Sequence, residues 1–70
     1  MTDTKDKAIA KRIKQYRKQR GLTQASLAEK AGVDPNTVAR LERGLHRASS
    51  LTIEKLSKAL DVKASDILDY

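Results

Sequence analysis

The 70-residue chain has no cysteine, a single histidine (His46), two tyrosines as its only aromatic residues, and a formal net charge of +6. This composition predicts one small domain with an aliphatic core, and it excludes disulfides, thiolate metal sites and any catalytic or metal centre that needs two histidines. No segment approaches the roughly 18 consecutive apolar residues of a membrane span, and the first six residues lack the apolar region of a secretory signal. We therefore expect a cytoplasmic protein with no membrane partner.

The first predicted helix spans residues 6–20 and follows a tail, residues 1–5, that we expect to be disordered. Ile9, Ile13 and Tyr16 recur at helical spacing and form one face, whereas lysines follow the same rhythm on another face. Residues 1–20 carry eight basic and two acidic side chains, while residues 21–70 carry seven of each. This concentration of charge favours a polyanion partner, most often nucleic acid, or else a solvated face that aids solubility.

The second and third predicted helices are short and lie close together. Thr23 is the predicted N-cap of the second helix, which ends at Gly32. A full capping box calls for Glu or Gln at the position of Ser26, so we expect only half of the box. Asp34 is the predicted N-cap of the third helix, followed by proline at the first helical position, and this helix is expected to end at Gly44.

The remaining elements are a loop over residues 45–48 and two further helices. Ser49 or Ser50 is the predicted cap of the fourth helix, whose apolar residues share a face at helical spacing. Ile67 and Leu68 belong to a final short helix. Together with Tyr70 they could form a modest dimer seam, or they could complete the core of the monomer.

Two short helices joined by a tight turn indicate a helix-turn-helix motif, here over about residues 23–43 of a domain spanning residues 6–70. Ala28 lies where the two helices must approach closely, and Gly32 supplies the turn. The wedge between the helices is filled by Val33, Val38 and Leu41. The joint spacing of these residues is specific, although each alone is a weak indication.

The stretch from Gln24 to Gly44 resembles the phage repressor and Cro family of lambda-repressor-like, XRE-type regulators, and the resemblance extends over residues 8–68. It implies an all-α fold of five helices with the helix-turn-helix at helices 2 and 3. It also implies sequence-specific binding of double-stranded DNA by a homodimer on a near-palindromic operator. The expected role is a transcriptional regulator, specifically a repressor, that has no cofactor and no small-molecule substrate.

The resemblance also implies roles for individual residues. Positions expected to face the bases in the major groove are Pro35, Asn36, Thr37 and Arg40. Positions expected to contact phosphates are Arg17, Thr23, Gln24, Arg43, His46 and Arg47. Arg17 and Glu42 are expected to form a pair that ties the first helix to the third. Asn36 can present its amide edge to adenine and Arg40 can fork onto guanine, whereas Pro35 stands where relatives often have glutamine and offers no side-chain hydrogen bond.

Three other classes of function are alternatives to DNA binding. The same helices could form a protein-interaction module, such as an antitoxin or adaptor, although such a module favours an apolar or acidic face on the third helix. A basic amphipathic first helix could bind an anionic membrane, but its small apolar face is needed for the core. The sequence has no nucleophile–base pair, glycine-rich phosphate loop or metal cluster, so we expect no enzyme.

Overall fold

Five α-helices form the chain in the computed structural model, which describes residues 4–44 and 48–68, with side chains from residue 7 onward. Their bounds are Thr4–Gln19 (α1), Gln24–Ala31 (α2), Pro35–Glu42 (α3), Ser50–Leu60 (α4) and Ala64–Leu68 (α5). No strand occurs within these described ranges, and the predicted all-α, five-helix class is confirmed. α1 includes the last two residues of the tail expected to be disordered, and residues 1–3 lie outside the described part of the chain.

α2 begins with a complete capping box, contrary to the expectation that Ser26 would leave it half formed. The Thr23 hydroxyl oxygen accepts a hydrogen bond from the Ser26 backbone N–H at 3.0 Å. The Thr23 backbone N–H donates in turn to the Ser26 hydroxyl oxygen at 2.8 Å. The Ser26 hydroxyl oxygen therefore accepts the hydrogen bond that the side chain of Glu or Gln usually accepts in a capping box.

The turn between α2 and α3 is defined by a left-handed residue and a second cap. Gly32 has φ of 72°, a conformation that glycine adopts without steric cost. The Asp34 carboxylate accepts from the Asn36 backbone N–H at 2.8 Å, and Pro35 occupies the first position of α3 as predicted. α3 ends at Glu42, two residues before the predicted end, because Arg43 is already the C-cap.

α4 is capped by Ser49, one of the two predicted candidates, whose hydroxyl oxygen accepts from the Thr52 N–H at 3.1 Å. The helix ends at Asp61, which has φ of 58° and is the single non-glycine residue with positive φ among the residues described. α5 begins without a conventional cap. Instead, the Asp66 carboxylate reaches back to accept from the Lys63 N–H at 3.0 Å.

The core is aliphatic, as predicted, and every helix contributes to it. Its buried members are Ile9, Ile13, Leu27, Ala28, Val38, Leu41, Ile53, Leu56, Ala59, Leu60 and Ile67. Tyr16, Val33 and Leu68 are only partly buried and pack against this cluster. Ile67 is 0 % exposed, so it completes the monomer's core and is not free to form a dimer seam. Tyr70 lies outside the described residues.

None of the helices in the described ranges is both long and apolar enough to cross a membrane.

Candidate nucleic-acid interface

α3 presents a polar face to solvent opposite the face that it buries. Val38 and Leu41 are buried in the core. Asn36, Arg40 and Arg43 are exposed, and at 100° per residue their side chains fall within an arc of about 60° around the helix. The face therefore combines one amide and two guanidinium groups, which are the groups that read base edges and phosphates in duplex DNA.

The other two positions expected to face the bases differ in exposure. Pro35 is exposed at the first turn of α3, beside this polar face. Thr37 is half-buried, because it lies on the margin between the polar face and Leu41. Its methyl and hydroxyl groups therefore have less freedom than the Asn36 amide to reach a partner in solvent.

Arg17 and Glu42 are brought together in a bidentate ion pair between α1 and α3. Arg17 Nε donates to Glu42 Oε2 at 2.6 Å, and an Arg17 terminal nitrogen (Nη2) donates to Glu42 Oε1 at 2.9 Å. The side chains are 11 % and 2 % exposed, respectively. A pair so well shielded and so directional fixes the orientation of α3 relative to α1.

The Arg17 guanidinium has a third partner inside the protein. Its Nη1 donates to the backbone carbonyl of Leu22, in the loop between α1 and α2, at 2.8 Å. The pKa of Arg17 is raised above its ordinary value, chiefly by the hydrogen bond to Glu42 and also by the charge of that carboxylate, while desolvation opposes the shift. Arg17 therefore stays protonated at any pH at which the folded protein is studied, and its predicted phosphate contact stays a prediction.

Gln24, the first residue of α2, joins the same cluster. Its side-chain Nε2 donates to Glu42 Oε1 at 3.2 Å, so one carboxylate links α1, α2 and α3. This contact uses the amide nitrogen of the Gln24 side chain and not its carbonyl oxygen. The predicted phosphate contact of Gln24 is not tested by this arrangement.

The other residues expected to contact phosphates are placed as follows. Thr23 uses its hydroxyl group in the α2 capping box, and its predicted phosphate contact stays a prediction. Arg43 is exposed at the end of α3. His46 and Arg47 lie outside the described residues.

Two arginines of the α1 segment have structural roles that the sequence did not indicate. Arg12 donates to the carbonyl oxygens of Ile67 and Leu68 at the end of α5, at 3.2 and 3.3 Å. Arg20 Nε donates to the carbonyl oxygen of Leu60 at the end of α4, at 2.9 Å. Each guanidinium thus satisfies carbonyl groups that a helix leaves unpaired at its C-terminus. The one available clue was that these positions hold arginine whereas the solvent face of α1 holds lysine.

Comparison with known proteins places this geometry in a family. The helix-turn-helix family model matches residues 13–67, which include α2, α3 and the cluster around Glu42. The chain belongs to the helix-turn-helix family. Within this helix-turn-helix protein, α2 and α3 are the two helices of the motif, and the α3 polar face is the exposed side of its second helix.

Two similar proteins and one solved structure illustrate the relationship. SinR of Bacillus subtilis, an HTH-type transcriptional regulator, is 45 % identical over 62 residues, which cover 87 % of this chain and 56 % of SinR. The immunity repressor protein of Bacillus phage phi105 is 40 % identical over 60 residues, or 86 % of this chain and 42 % of the repressor. A crystal structure of SinR, the master regulator for biofilm formation, in complex with DNA has a TM-score of 0.84 and 45 % identity, covering 87 % of this chain and 98 % of that one. The chain thus spans about half the length of SinR and of the phage repressor.

Proposed function

We propose that this helix-turn-helix protein binds double-stranded DNA in a sequence-specific manner and regulates transcription as a repressor. The observation that carries the proposal is the α3 polar face, where Asn36, Arg40 and Arg43 are exposed while Val38 and Leu41 anchor the same helix in the core. A helix of this diameter fits the major groove, where each base pair presents a distinct pattern of donors and acceptors.

The residues on this face divide into two roles. Asn36 and Arg40 are four residues apart and share one side of α3. Their amide and guanidinium groups suit adenine and guanine edges, respectively. Arg43 lies at the helix end, where a charged side chain meets the sugar–phosphate backbone and sets position without reading sequence.

The cluster around Glu42 supports this assignment because base readout needs a rigid helix. The bidentate pair with Arg17 and the bond from Gln24 hold α3 against α1 and α2. The resemblance to SinR, a protein crystallised in complex with DNA, supports the same conclusion, and the similarity to a phage immunity repressor supports repression.

The same proposal includes a homodimer bound to a near-palindromic operator. One recognition helix reads only a few base pairs, so useful specificity requires two half-sites about one DNA turn apart. Because Ile67 is buried in the monomer's core, the dimer contact is expected to use residues on the surface and not Ile67.

The deciding experiment is selection of bound duplexes from a random pool, followed by binding measurements on the recovered site. Arg40→Ala should relax the preference at one base position by about 1–3 kcal/mol, or roughly 5- to 150-fold. Arg43→Ala should weaken binding to the selected site and to random duplexes by the same factor. Lys55→Ala, which removes an exposed charge from α4, is the control and should leave the preference unchanged.

Two results would contradict the proposal. Equal losses on selected and random duplexes for both arginine variants would remove the division of roles within the α3 polar face. If no duplex were recovered from the pool and the unmodified chain shifted none in a gel, the alternative protein-interaction module would be favoured instead.

A further inference from the structure

The solvent side of α1 is a line of four exposed lysines, which we call the lysine ridge: Lys7, Lys11, Lys14 and Lys18. Their spacing of four, three and four residues places them in one stripe about 16 Å long at a rise of 1.5 Å per residue. The stripe lies opposite the buried side chains of Ile9 and Ile13. It is the largest group of like charges on one face of a described helix.

The lysine ridge is chemically distinct from the arginines of the same helical segment. Arg12, Arg17 and Arg20 all donate hydrogen bonds inside the protein, to α5, α3 and α4 respectively. Within the described residues, none of the four ridge lysines forms an ion pair or hydrogen bond. The arginines are thus committed to holding the fold, and the ridge lysines are free to meet a partner.

The arrangement of the lysine ridge is unfavourable for the helix itself. Like charges three or four residues apart on a helix repel each other and destabilise it. The helix dipole disfavours positive charge only near the first turn of α1, close to Lys7, and favours it in the last turn, which holds Lys18. Glutamate at any of these positions would provide solubility together with a favourable pair, so solubility alone does not account for four lysines.

The chemistry of the lysine ridge identifies its partner as a phosphate backbone. A protein partner would require an apolar or aromatic centre and a low lysine content, but the neighbouring exposed residues are Gln15 and Gln19. A membrane surface would require an apolar wedge, and Ile9 and Ile13 are buried. Binding to nucleic-acid phosphates requires only point charges in a line.

The position of the lysine ridge relates it to the α3 polar face. Lys18 directly follows Arg17, the residue that pairs with Glu42 of α3, and Lys14 lies one turn earlier. The C-terminal end of the ridge is therefore next to the junction of α1 and α3. The ridge and the α3 polar face each lie opposite the core residues of their own helix.

From these observations we infer that the lysine ridge is a second, sequence-independent contact with DNA, made to phosphates that flank the base pairs read by α3 on the same duplex. The inference rests on the proposed function. α3 holds the duplex, so that the four weak charge contacts form at high effective concentration. They add affinity and salt dependence without adding sequence preference.

The test compares two variants that remove the same charge from different places. The ridge variant combines Lys7→Gln, Lys11→Gln, Lys14→Gln and Lys18→Gln. The control variant combines Lys30→Gln, Lys55→Gln, Lys58→Gln and Lys63→Gln, which are also exposed. Circular dichroism first establishes that both variants are folded. Fluorescence anisotropy then measures binding to a mixed-sequence duplex of about 30 base pairs, roughly three turns, between about 50 and 200 mM salt.

The measured quantity is the slope of log affinity against log salt concentration. We expect this slope to be smaller in magnitude for the ridge variant than for the unmodified protein, by about three to four. The control variant should keep the original slope. Equal slopes for the two variants would overturn the inference, since net charge would then be the only cause. Energy transfer between two differently labelled duplexes that depends on the ridge would overturn the assignment to a single duplex. If the unmodified protein bound no DNA at all, the proposed function itself would fail, and the ridge contact with it.

Discussion

Glu42 is the residue at which three helices meet. Its carboxylate accepts from Arg17 of α1 and from Gln24 of α2 while belonging to α3. Because the Glu42 side chain is 2 % exposed, its charge is shielded from water and depends on these donors for solvation. A substitution at this position therefore affects how α3 is held, although Glu42 is not on the α3 polar face.

Glu42→Ala should lower the free energy of unfolding by about 2 kcal/mol, because it leaves the Arg17 guanidinium and the Gln24 amide without their shared acceptor. Arg17→Met should have a cost of the same order. The double variant should lose less than the sum of the two, since removing both charges leaves neither one unpaired. Urea denaturation followed by circular dichroism measures all three.

Glu54→Ala provides the control for this cycle, because Glu54 is exposed on α4 and should change stability by less than about 0.5 kcal/mol. Strictly additive losses for Arg17→Met and Glu42→Ala would mean that the pair contributes no coupling. The role of Glu42 in positioning α3 would then have to be abandoned.

Residues of the candidate site differ in how far the sequence could predict them. The exposure of Asn36 and Arg40 follows from helical periodicity alone, because Val38 and Leu41 fix which side of α3 is buried. The roles of Arg12 and Arg20 could not be predicted, since their acceptors are carbonyl groups 55 and 40 residues away. No local pattern in the sequence predicts a hydrogen bond between residues so far apart along the chain.

At the scale of the helices, α2 and α4 both end in a left-handed residue but use different amino acids. Gly32 has φ of 72° and Asp61 has φ of 58°. No atom lies within 4 Å of the position that a Cβ would take at Gly32. The requirement for glycine at that position therefore comes from the backbone conformation and not from crowding.

Opposite stability changes should follow from exchanging residue types at these two caps. Gly32→Ala should destabilise by about 0.5–1 kcal/mol, because the strain of a left-handed alanine exceeds the entropy that it removes from the unfolded chain. Asp61→Gly should stabilise by a similar amount, about 0.5–1 kcal/mol, for the converse reason. Thermal unfolding measures both, and changes of the same sign would contradict the explanation.

Helix boundaries show the same limit of sequence reasoning. The sequence predicts N-caps at Thr23, at Asp34 and at Ser49 or Ser50 because the donor and acceptor of a cap are only two or three residues apart. The end of α4 at Asp61 was not identified, since aspartate seldom marks a left-handed C-cap and no glycine is present. Local hydrogen bonds are thus readable from the sequence, whereas a conformation that depends on the surrounding fold is not.

For the whole molecule, stability depends on one small core to which all five helices contribute. Leu56 is fully buried in α4, whereas Leu51 of the same helix is 60 % exposed. A domain of this length has a total stability of about 4–10 kcal/mol. A single large cavity therefore removes a substantial part of it.

Leu56→Ala should destabilise by about 2–5 kcal/mol, from lost burial and the cavity that remains. Leu51→Ala makes the same chemical change at an exposed site of α4 and should change stability by less than about 0.5 kcal/mol. Denaturant unfolding measures the difference in stability as a shift of the midpoint concentration at an unchanged m-value. A similar effect of the two substitutions would contradict the assignment of Leu56 to the core.

The contacts of Arg12 and Arg20 have a consequence for synthesis. A ribosome makes α1 first, but the carbonyl groups that these guanidiniums bind belong to Leu60, Ile67 and Leu68. While the nascent chain is still short, α1 lacks the carbonyl partners of these two guanidiniums and the apolar side chains of α4 and α5. These two arginines can therefore reach their final contacts only after α4 and α5 have left the exit tunnel.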